Sequence, residues 1–392
     1  MFKKSLISML LICCLCFSFL ISGSINTISL KANATDKYTA KSLFLMDYNT
    51  NQVLFKKNEC EKMPVASIVK LMTICLTCEK IEKGELSLSQ KIVASEYSAS
   101  MGGSQVFIEA NAEYTVEDLL KSTIVSSAND ASVALAETIA GSEEEFVKLM
   151  NKKARELNLD NTNYVNCTGL PTANQFSCAK DTAMLLKEIF KYDTYHKFST
   201  IWMDTLNHPN NRQSELVNTN KLIRYYEGCD GGKTGSTSEA GYCLAATAKR
   251  GSMRLIGVVL GAENGKARFA ETSKLLNYGF ANFENKLLVD ENYLADKCVT
   301  VLSGKEDFVS IKPESDIYLL VNKHEENDIS IKIDLLESVM APINKGDVVG
   351  KIMIIKNGEI VSTNNIICQN SVEKAGYIDI LNNIVRNWKI AK

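Results

Sequence analysis

The sequence predicts a mixed α/β domain, built on a largely antiparallel sheet with a helical subdomain, followed by a smaller all-β domain. Three observations lead there. Strand-like runs open the chain after its leader and return after about residue 210. Helical patterns fill the interval, so the first and last strands become neighbours in one sheet. From about 285 to 370 the chain is β-rich and punctuated by turns.

Each element has a local reason. "MFKKSLISMLLICCLCFSFLISG" places Lys3 and Lys4 ahead of an apolar run from Leu6 to about Gly23, and Ala32-Asn33-Ala34 is a small-x-small cleavage site. That pattern is a secretory signal over residues 1–34, the alternative being a retained anchor helix; either way the rest of the chain is exported. "SLFLMDYNTNQVLFKKN" (residues 42–58) is two strands around a turn at Tyr48–Asn51. "VASIVKLMTICLTCEKIEKG" is a buried helix ending at Gly84. In "TVEDLLKSTIVSSANDASVALAETIAG" Thr115 caps one helix, with Asp118 three residues on, and a break at Ser126–Asn129 starts a second. "EEEFVKLMNKKARELNL" sets Phe146, Leu149 and Met150 on one helical face, and "AKDTAMLLKEIFKY" is another helix. "AGYCLAATAKRGSMRLIGVVLGA" is two strands around Lys249–Ser252, after which "ARFAETSKLLNYGFANF" returns to helix.

The second domain reads as "CVTVLSG", "DIYLLVN", "ISIKIDLL" and "VVGKIMIIKNGEIVS", with no catalytic constellation in it. In the tail "GYIDILNNIVRNWKIAK", Ile378, Leu381, Val385 and Trp388 share a face with Tyr377 and Ile384, and Arg386, Lys389 and Lys392 cluster at the end. Such a helix suits an anionic membrane surface; the alternative is a terminal helix docked on its own β domain. The expected organisation is 1–34 signal peptide, 35–284 catalytic domain, 285–370 β-rich domain and 371–392 amphipathic membrane-anchoring helix.

Composition narrows the function classes. A net charge of -2 leaves no electrostatic footprint for nucleic acid. Five prolines, 45% apolar and 23% charged residues are those of a globular protein. Of twelve cysteines, Cys13, Cys14 and Cys16 lie in the signal, leaving nine scattered ones that do not form a disulfide framework. Cys75 and Cys78 form a C-x-x-C pair, but no second pair or histidine cluster completes a zinc site, so they read as small buried helix residues. No cofactor or metal is expected.

The chemistry begins in "MPVASIVKLMT". Ser67 and Lys70, three residues apart, share a helical face inside an apolar segment. A serine hydroxyl is a poor nucleophile until a base takes its proton. The three histidines, His196, His208 and His324, accompany no G-x-S-x-G elbow, so a Ser-His-Asp site is unsupported. A lysine serves as base if burial or a nearby positive charge makes it neutral, and Lys70 meets the burial condition. A helix N-terminus also favours negative charge developing at Ser67. Two further elements strengthen the pattern. Ser127-Ala128-Asn129 sits at the helix break, where hydroxyl and amide can point into a cleft. Lys233-Thr234-Gly235 opens a strand after "DGG", with Gly235 leaving room for a substrate backbone.

S-x-x-K with S-D-N and K-T-G is the signature of class A β-lactamases and penicillin-binding proteins. The chain resembles the low-molecular-mass penicillin-binding proteins (penicillin-binding protein 5-like), the serine-type D-alanyl-D-alanine carboxypeptidases. The likeness runs through "PVASIVKLMT", "IVSSANDASVALAE", "YVNCTGLP", "CDGGKTGSTSEAGYCLAATA", "MRLIGVVLGAE", "ARFAETSKLLNYGF" and "APINKGDVVGKI". It implies a β-lactamase/DD-peptidase-like catalytic fold and removal of the terminal D-Ala from peptidoglycan stem peptides ending in D-Ala-D-Ala, on the extracytoplasmic face of the membrane or in the cell wall. In that reading Ser67 is the nucleophile and Lys70 its base. Ser127 relays a proton to the leaving amine, and Asn129 holds the substrate amide. Lys233 adds positive potential and Thr234 binds the terminal carboxylate. The N–H groups of Ser67 and Ser236 form the oxyanion hole, and Arg268 also grips the carboxylate. The sequence departs from the lactamases in having S-A-N and no E-x-x-L-N loop for a deacylating water. β-Lactams are therefore expected to acylate Ser67 and stay. Cys229, just before "DGGKTG", has no assigned role. The alternatives are a β-lactamase of the same fold and an inactive peptidoglycan-binding protein, which would have no use for a lysine buried beside a serine.

Overall fold

The computed structural model describes residues 38–325 and 328–381. The signal segment and the last eleven residues, with Val385 and Trp388, lie outside them. In chain order the first strands are β1 (Ser42–Asp47), β2 (Val53–Lys57), β3 (Lys91–Val93), β4 (Glu113–Thr115), β5 (Met203–Asn207), β6 (Gln213–Val217), β7 (Cys229–Thr237), β8 (Gly241–Arg250) and β9 (Met253–Ala262). The longer helices are α1 (Lys70–Glu82), α2 (Val116–Val125), α3 (Asn129–Ala140), α4 (Glu143–Glu156), α5 (Ala179–Ile189) and α6 (Gly265–Asn282).

One five-stranded antiparallel sheet has the order β2-β1-β9-β8-β7. β1 lies on β9 from Ser42↔Leu260 to Asp47↔Leu255, so the two ends of the sequence pattern do meet. Strand β9 is buried along almost its whole length, which matches its near-continuous run of Leu, Ile and Val. Residues Lys70 to Cys78 of α1 are all buried. A helix that is apolar all round sits in the core rather than on it, and α1 carries Lys70 there, with Ser67 in the turn just before it. Thr115 caps α2 by accepting the Asp118 N–H at 3.1 Å, as its position in the sequence predicts.

Two local expectations shift. The segment read as helix from Pro64 starts as a 3₁₀ turn at Ala66–Val69, and regular α-helix begins only at Lys70. The strand carrying Lys233 starts at Cys229, so "DGG" lies within it. A register slip between Cys229 and Gly231, and Gly232 at φ +132°, let the chain enter the sheet early.

After α6 come β10 (Phe283–Val289), β11 (Cys298–Leu302), β12 (Phe308–Pro313), β13 (Ile317–Asn322), β14 (Ile329–Leu335), β15 (Ser338–Met340), β16 (Val348–Lys356) and β17 (Glu359–Cys368). β10 pairs with β13, and the others form a sheet of order β14-β16-β17-β12-β11-β15. Their core is aliphatic: Val299, Val301, Val309, Ile311, Val349, Ile352, Ile354 and Ile366. Among the described residues, no helix is long and apolar enough to cross a membrane.

Candidate active site

The 3₁₀ turn explains the reactive pair. Its three residues per turn eclipse positions i and i+3, so the Lys70 ammonium nitrogen Nζ lies 3.0 Å from Ser67 Oγ. Nζ also donates to the Thr168 carbonyl at 2.6 Å. Ala66, just before the serine, is buried at φ +49°, a left-handed conformation that a non-glycine residue adopts at a cost of ~1 kcal/mol or more. Two glycines hold that turn. A Cβ on Gly169, itself at φ +85°, would sit 2.1 Å from the Ala66 carbonyl oxygen. A Cβ on Gly235 would sit 2.6 Å from the Val65 carbonyl oxygen and 3.1 Å from the Ser67 nitrogen. The missing side chain of Gly235 thus makes room for the turn that carries Ser67.

Lys70 is 0% exposed. Burial pulls its pKa from the usual lysine range to about 7, against the upward pulls of Cys167 and Asp130. Near neutral pH a substantial fraction is therefore the free amine, able to accept a proton.

The S-A-N element turns between α2 and α3. Ser127 is buried at φ +62°, a second strained non-glycine in the site. Asn129 is fixed by main chain on both of its nitrogens: its N–H donates to the Ser104 carbonyl at 2.7 Å and its Nδ2 to the Gly102 carbonyl at 2.6 Å. Those bonds leave Oδ1 buried with no protein partner. A Cβ on Gly103 would lie 2.8 Å from Asn129 Nδ2 and 3.5 Å from Leu170. The 102–104 segment, Asn129 and the 168–170 segment therefore converge, and the last of these lies against Ser67.

On β7, Lys233 and Thr234 are buried and Ser236 is exposed. Lys233 Nζ donates to the Thr234 carbonyl at 3.2 Å. Burial first, then the positive charges of Lys70 and Arg268, hold its pKa well below the usual lysine range. Arg268 on α6 reaches the same strand, donating to the Gly235 carbonyl at 3.1 Å and to the Cys243 carbonyl at 3.4 Å. Its Nε is buried without a protein partner. An unpaired buried acceptor on Asn129 and an unpaired buried donor on Arg268 are the kind of polar atoms a bound molecule satisfies.

Sequence reasoning missed two supports. One is the segment around Thr168. There Asn166 Oδ1 accepts the Gly169 N–H at 2.7 Å, and the Thr73 hydroxyl donates to the Cys167 carbonyl at 2.8 Å. "NCTG" is an Asx-type turn, a signal that a turn-by-turn reading could have found. The other is Asp130, whose carboxylate accepts N–H bonds from Val106, Ile108 and Ala131; nothing in its sequence context marks it.

The fold and this pair of buried lysines around a serine suit one class, the serine acyl-transfer enzymes. Residues 29–264 match the family described as D-alanyl-D-alanine carboxypeptidase, and residues 283–374 match the penicillin-binding protein 5 C-terminal domain. The D-alanyl-D-alanine carboxypeptidase DacF of Bacillus subtilis is 42% identical over 352 residues, 90% of each chain. DacC of Escherichia coli is 33% identical over 86% of this chain and 85% of that one. The structure of penicillin binding protein 5 from Haemophilus influenzae superposes with a TM-score of 0.72 at 31% identity, covering 86% of this chain and 98% of that one. The chain belongs to the D-alanyl-D-alanine carboxypeptidase family.

Proposed function

We propose that this carboxypeptidase is exported and trims the terminal D-Ala from peptidoglycan stem peptides through an acyl-enzyme on Ser67. The observation that carries the reading is the 3.0 Å contact between Ser67 Oγ and a lysine amine that burial has brought to near-neutral pKa. The neutral Lys70 takes the Ser67 proton as Oγ attacks the carbonyl carbon of the penultimate D-Ala. The oxyanion is met by the N–H groups of Ser67 and Ser236, worth on the order of 3 kcal/mol of barrier per donor. The C–N bond then breaks, and Ser127 relays the proton to the leaving amine of the last D-Ala. Asn129 Oδ1 accepts the substrate amide N–H. Lys233, Thr234 and Arg268 hold the terminal carboxylate, whose negative charge favours the protonated form of Lys233. Water then cleaves the ester and returns Ser67 to its starting state.

β-Lactams would acylate the same hydroxyl and leave it slowly. The carboxylates bonded nearby are occupied: Asp130 by its three N–H groups, and Glu143 by the Cys167 N–H at 2.9 Å and the Tyr97 hydroxyl at 2.6 Å. These bonds hold both carboxylates in place, and the sequence has no E-x-x-L-N loop to bring a further one to the acyl-enzyme, which favours a penicillin target over a β-lactamase. We further propose residues 35–284 as the catalytic domain and 285–370 as a separate β domain. The chain is held on the β domain through Val372, which is buried in its core, and Lys374, which bridges Gly304. The anchor therefore starts later than 371, and the tail from Tyr377 rests on the anionic membrane surface, with Tyr377 and Ile378 82% and 72% exposed.

Incubating the enzyme with labelled penicillin and with a D-Ala-D-Ala peptide tests the reading. Stable label on Ser67 with release of D-Ala is expected. Rapid loss of label would mean a β-lactamase, and no label a binding protein. For the tail, flotation with anionic vesicles of a chain cut after Gly376, which keeps Val372 in the β-domain core, should show lost association; unchanged flotation would defeat the anchor.

A further inference from the structure

The 102–109 segment, which supplies both main-chain acceptors of Asn129, is tied down from behind by groups with no part in the reaction. Asp130 accepts the N–H groups of Val106 and Ile108, each at 3.1 Å. The Tyr114 hydroxyl accepts the Glu109 N–H at 3.0 Å. The Ser214 hydroxyl donates to the Val106 carbonyl at 2.8 Å. Arg212 donates to the Phe107 carbonyl and, at 3.1 Å, to the Glu109 carboxylate. Between these anchors Phe107 stands at φ +61° and is 58% exposed. An aromatic residue keeps a left-handed backbone only where the surroundings over-determine it.

Three of the anchors meet at one side chain. His208, on the β5–β6 hairpin, is 6% exposed. Its Nε2 lies 2.8 Å from Ser214 Oγ, and its Nδ1 lies 2.9 Å from both the Tyr114 hydroxyl and Arg212 Nη2. The proton directions follow from the partners. A guanidinium only donates, so Nδ1 carries a lone pair. Ser214 spends its proton on the Val106 carbonyl, so it accepts from Nε2, which carries the hydrogen. The network therefore requires the neutral imidazole, and a proton on Nδ1 would face the Arg212 guanidinium, which can only donate.

We propose that His208 is a positioning residue: as the neutral Nε2–H tautomer it locks Ser214, Tyr114 and Arg212 onto the 104–109 segment and so sets Asn129 for substrate, and its protonation releases that segment. The proposal rests on Asn129 binding the substrate amide. The charged and titratable groups facing the ring are Arg212 from its own hairpin, Glu109 from the segment, Asp130 from α3 and Tyr114 from β4. Burial and then Arg212 lower its pKa, while Glu109 and Asp130 pull it up, and the net direction is down. For a histidine whose folded pKa is depressed, the neutral network is fully present above the unfolded value of about 6.5 and is lost as pH falls through the folded value.

Hydrogen exchange of peptides covering 102–109, corrected for intrinsic rates between about pH 5 and 8, reads the lock without any substrate. In the wild-type enzyme, protection should fall on the acid side. In His208→Gln, whose amide can donate to Ser214 and accept from Arg212, protection should persist at the acid end. In His208→Ala it should be low throughout, with KM for a D-Ala-D-Ala peptide rising about tenfold, the worth of one buried hydrogen bond to a charged partner, and more than kcat falls. Flat wild-type protection, or acid loss in His208→Gln equal to wild type, overturns the proposal. If the alanine variant does not fold, the wild type and the glutamine variant decide alone. Failure of the carboxypeptidase reading would instead leave the exchange result intact and remove D-Ala release.

Discussion

The catalytic half and the β-rich half bury different things. In the first, Lys70, Lys233, Asp130, Asn129, Ser127 and Thr234 are all under 6% exposed. In the second, among the described residues after 285, no polar or charged side chain is buried. The backbone divides the same way. Around the site, Ala66 and Ser127 hold left-handed φ while buried, whereas Ser303 and Asn357 of the β-rich half do so exposed at turns. Burying an ammonium without a carboxylate partner costs free energy, as does the strained backbone. The molecule accepts both where the nucleophile is made and avoids both where the chain only has to pack.

The sharpest way to test that contrast is Lys70→Met. Removing the base should lower Ser67 acylation by labelled penicillin by about 10³-fold. The same change replaces a poorly solvated amine by an apolar chain of similar length, so thermal unfolding should shift upward or stay level. Loss of label with raised Tm confirms that the burial serves chemistry. Normal labelling would sink the lysine-base mechanism, and a collapse in Tm would mean that Lys70 is structural.

Two glycines compare the halves directly. Gly169→Ala would drive a Cβ to 2.1 Å from the Ala66 oxygen at a left-handed φ, and should cost ~3 kcal/mol along with most of the acylation rate. Gly346, at φ +94° in the β-rich half, has nothing within 4 Å of its would-be Cβ, so Gly346→Ala should cost only the backbone term of ~1 kcal/mol. Urea unfolding of both variants checks the ratio; equal losses would show that the nucleophile turn has slack. Ile352→Ala removes a fully buried side chain from the aliphatic core and should cost ~3 kcal/mol. It should leave acylation unchanged below the transition. A proportional fall in acylation would show that the β-rich half tunes the site.

Much of this was legible in the sequence because it is periodic or local. The 3.6-residue pattern located α4 and α5, the Thr115 cap located α2, and strand-like texture at both ends foretold that β1 and β9 would pair. The reactive pair was legible because Ser67 and Lys70 are three residues apart. Three things were not. The 3₁₀ start of α1 depends on Gly169 and Gly235 pressing from distant segments, which no local propensity encodes. What Gly235 makes room for follows from which element packs on β7, a tertiary fact. The Asp130 and His208 anchors are long-range side-chain to main-chain bonds, spanning 22 and 108 residues at Ile108 and at Val106 through Ser214, and carry no periodicity.

The smallest effect expected is also the most diagnostic. Lys70 has its pKa lowered from 10.5 to about 7 by burial. Only the neutral amine can accept the Ser67 proton, so the second-order rate of acylation should rise about tenfold per pH unit below 7 and level off above it. The linkage runs with the same sign: between about 7 and 10.5 the unfolded chain holds a proton that the folded enzyme does not, so this group makes stability rise with pH across that window. In Lys70→Met that rise should shrink to the part that Lys233, also held below the usual lysine range, contributes. An acylation profile that is flat, or that climbs only near pH 10, would place the proton on a lysine still fully charged and remove the basis for the whole contrast. Below the ordinary histidine range the wild-type slope should steepen as His208 takes a proton, and His208→Gln should return it to a single-proton limb. One profile thus separates the base proposed for the reaction from the ring proposed to keep Asn129 in place.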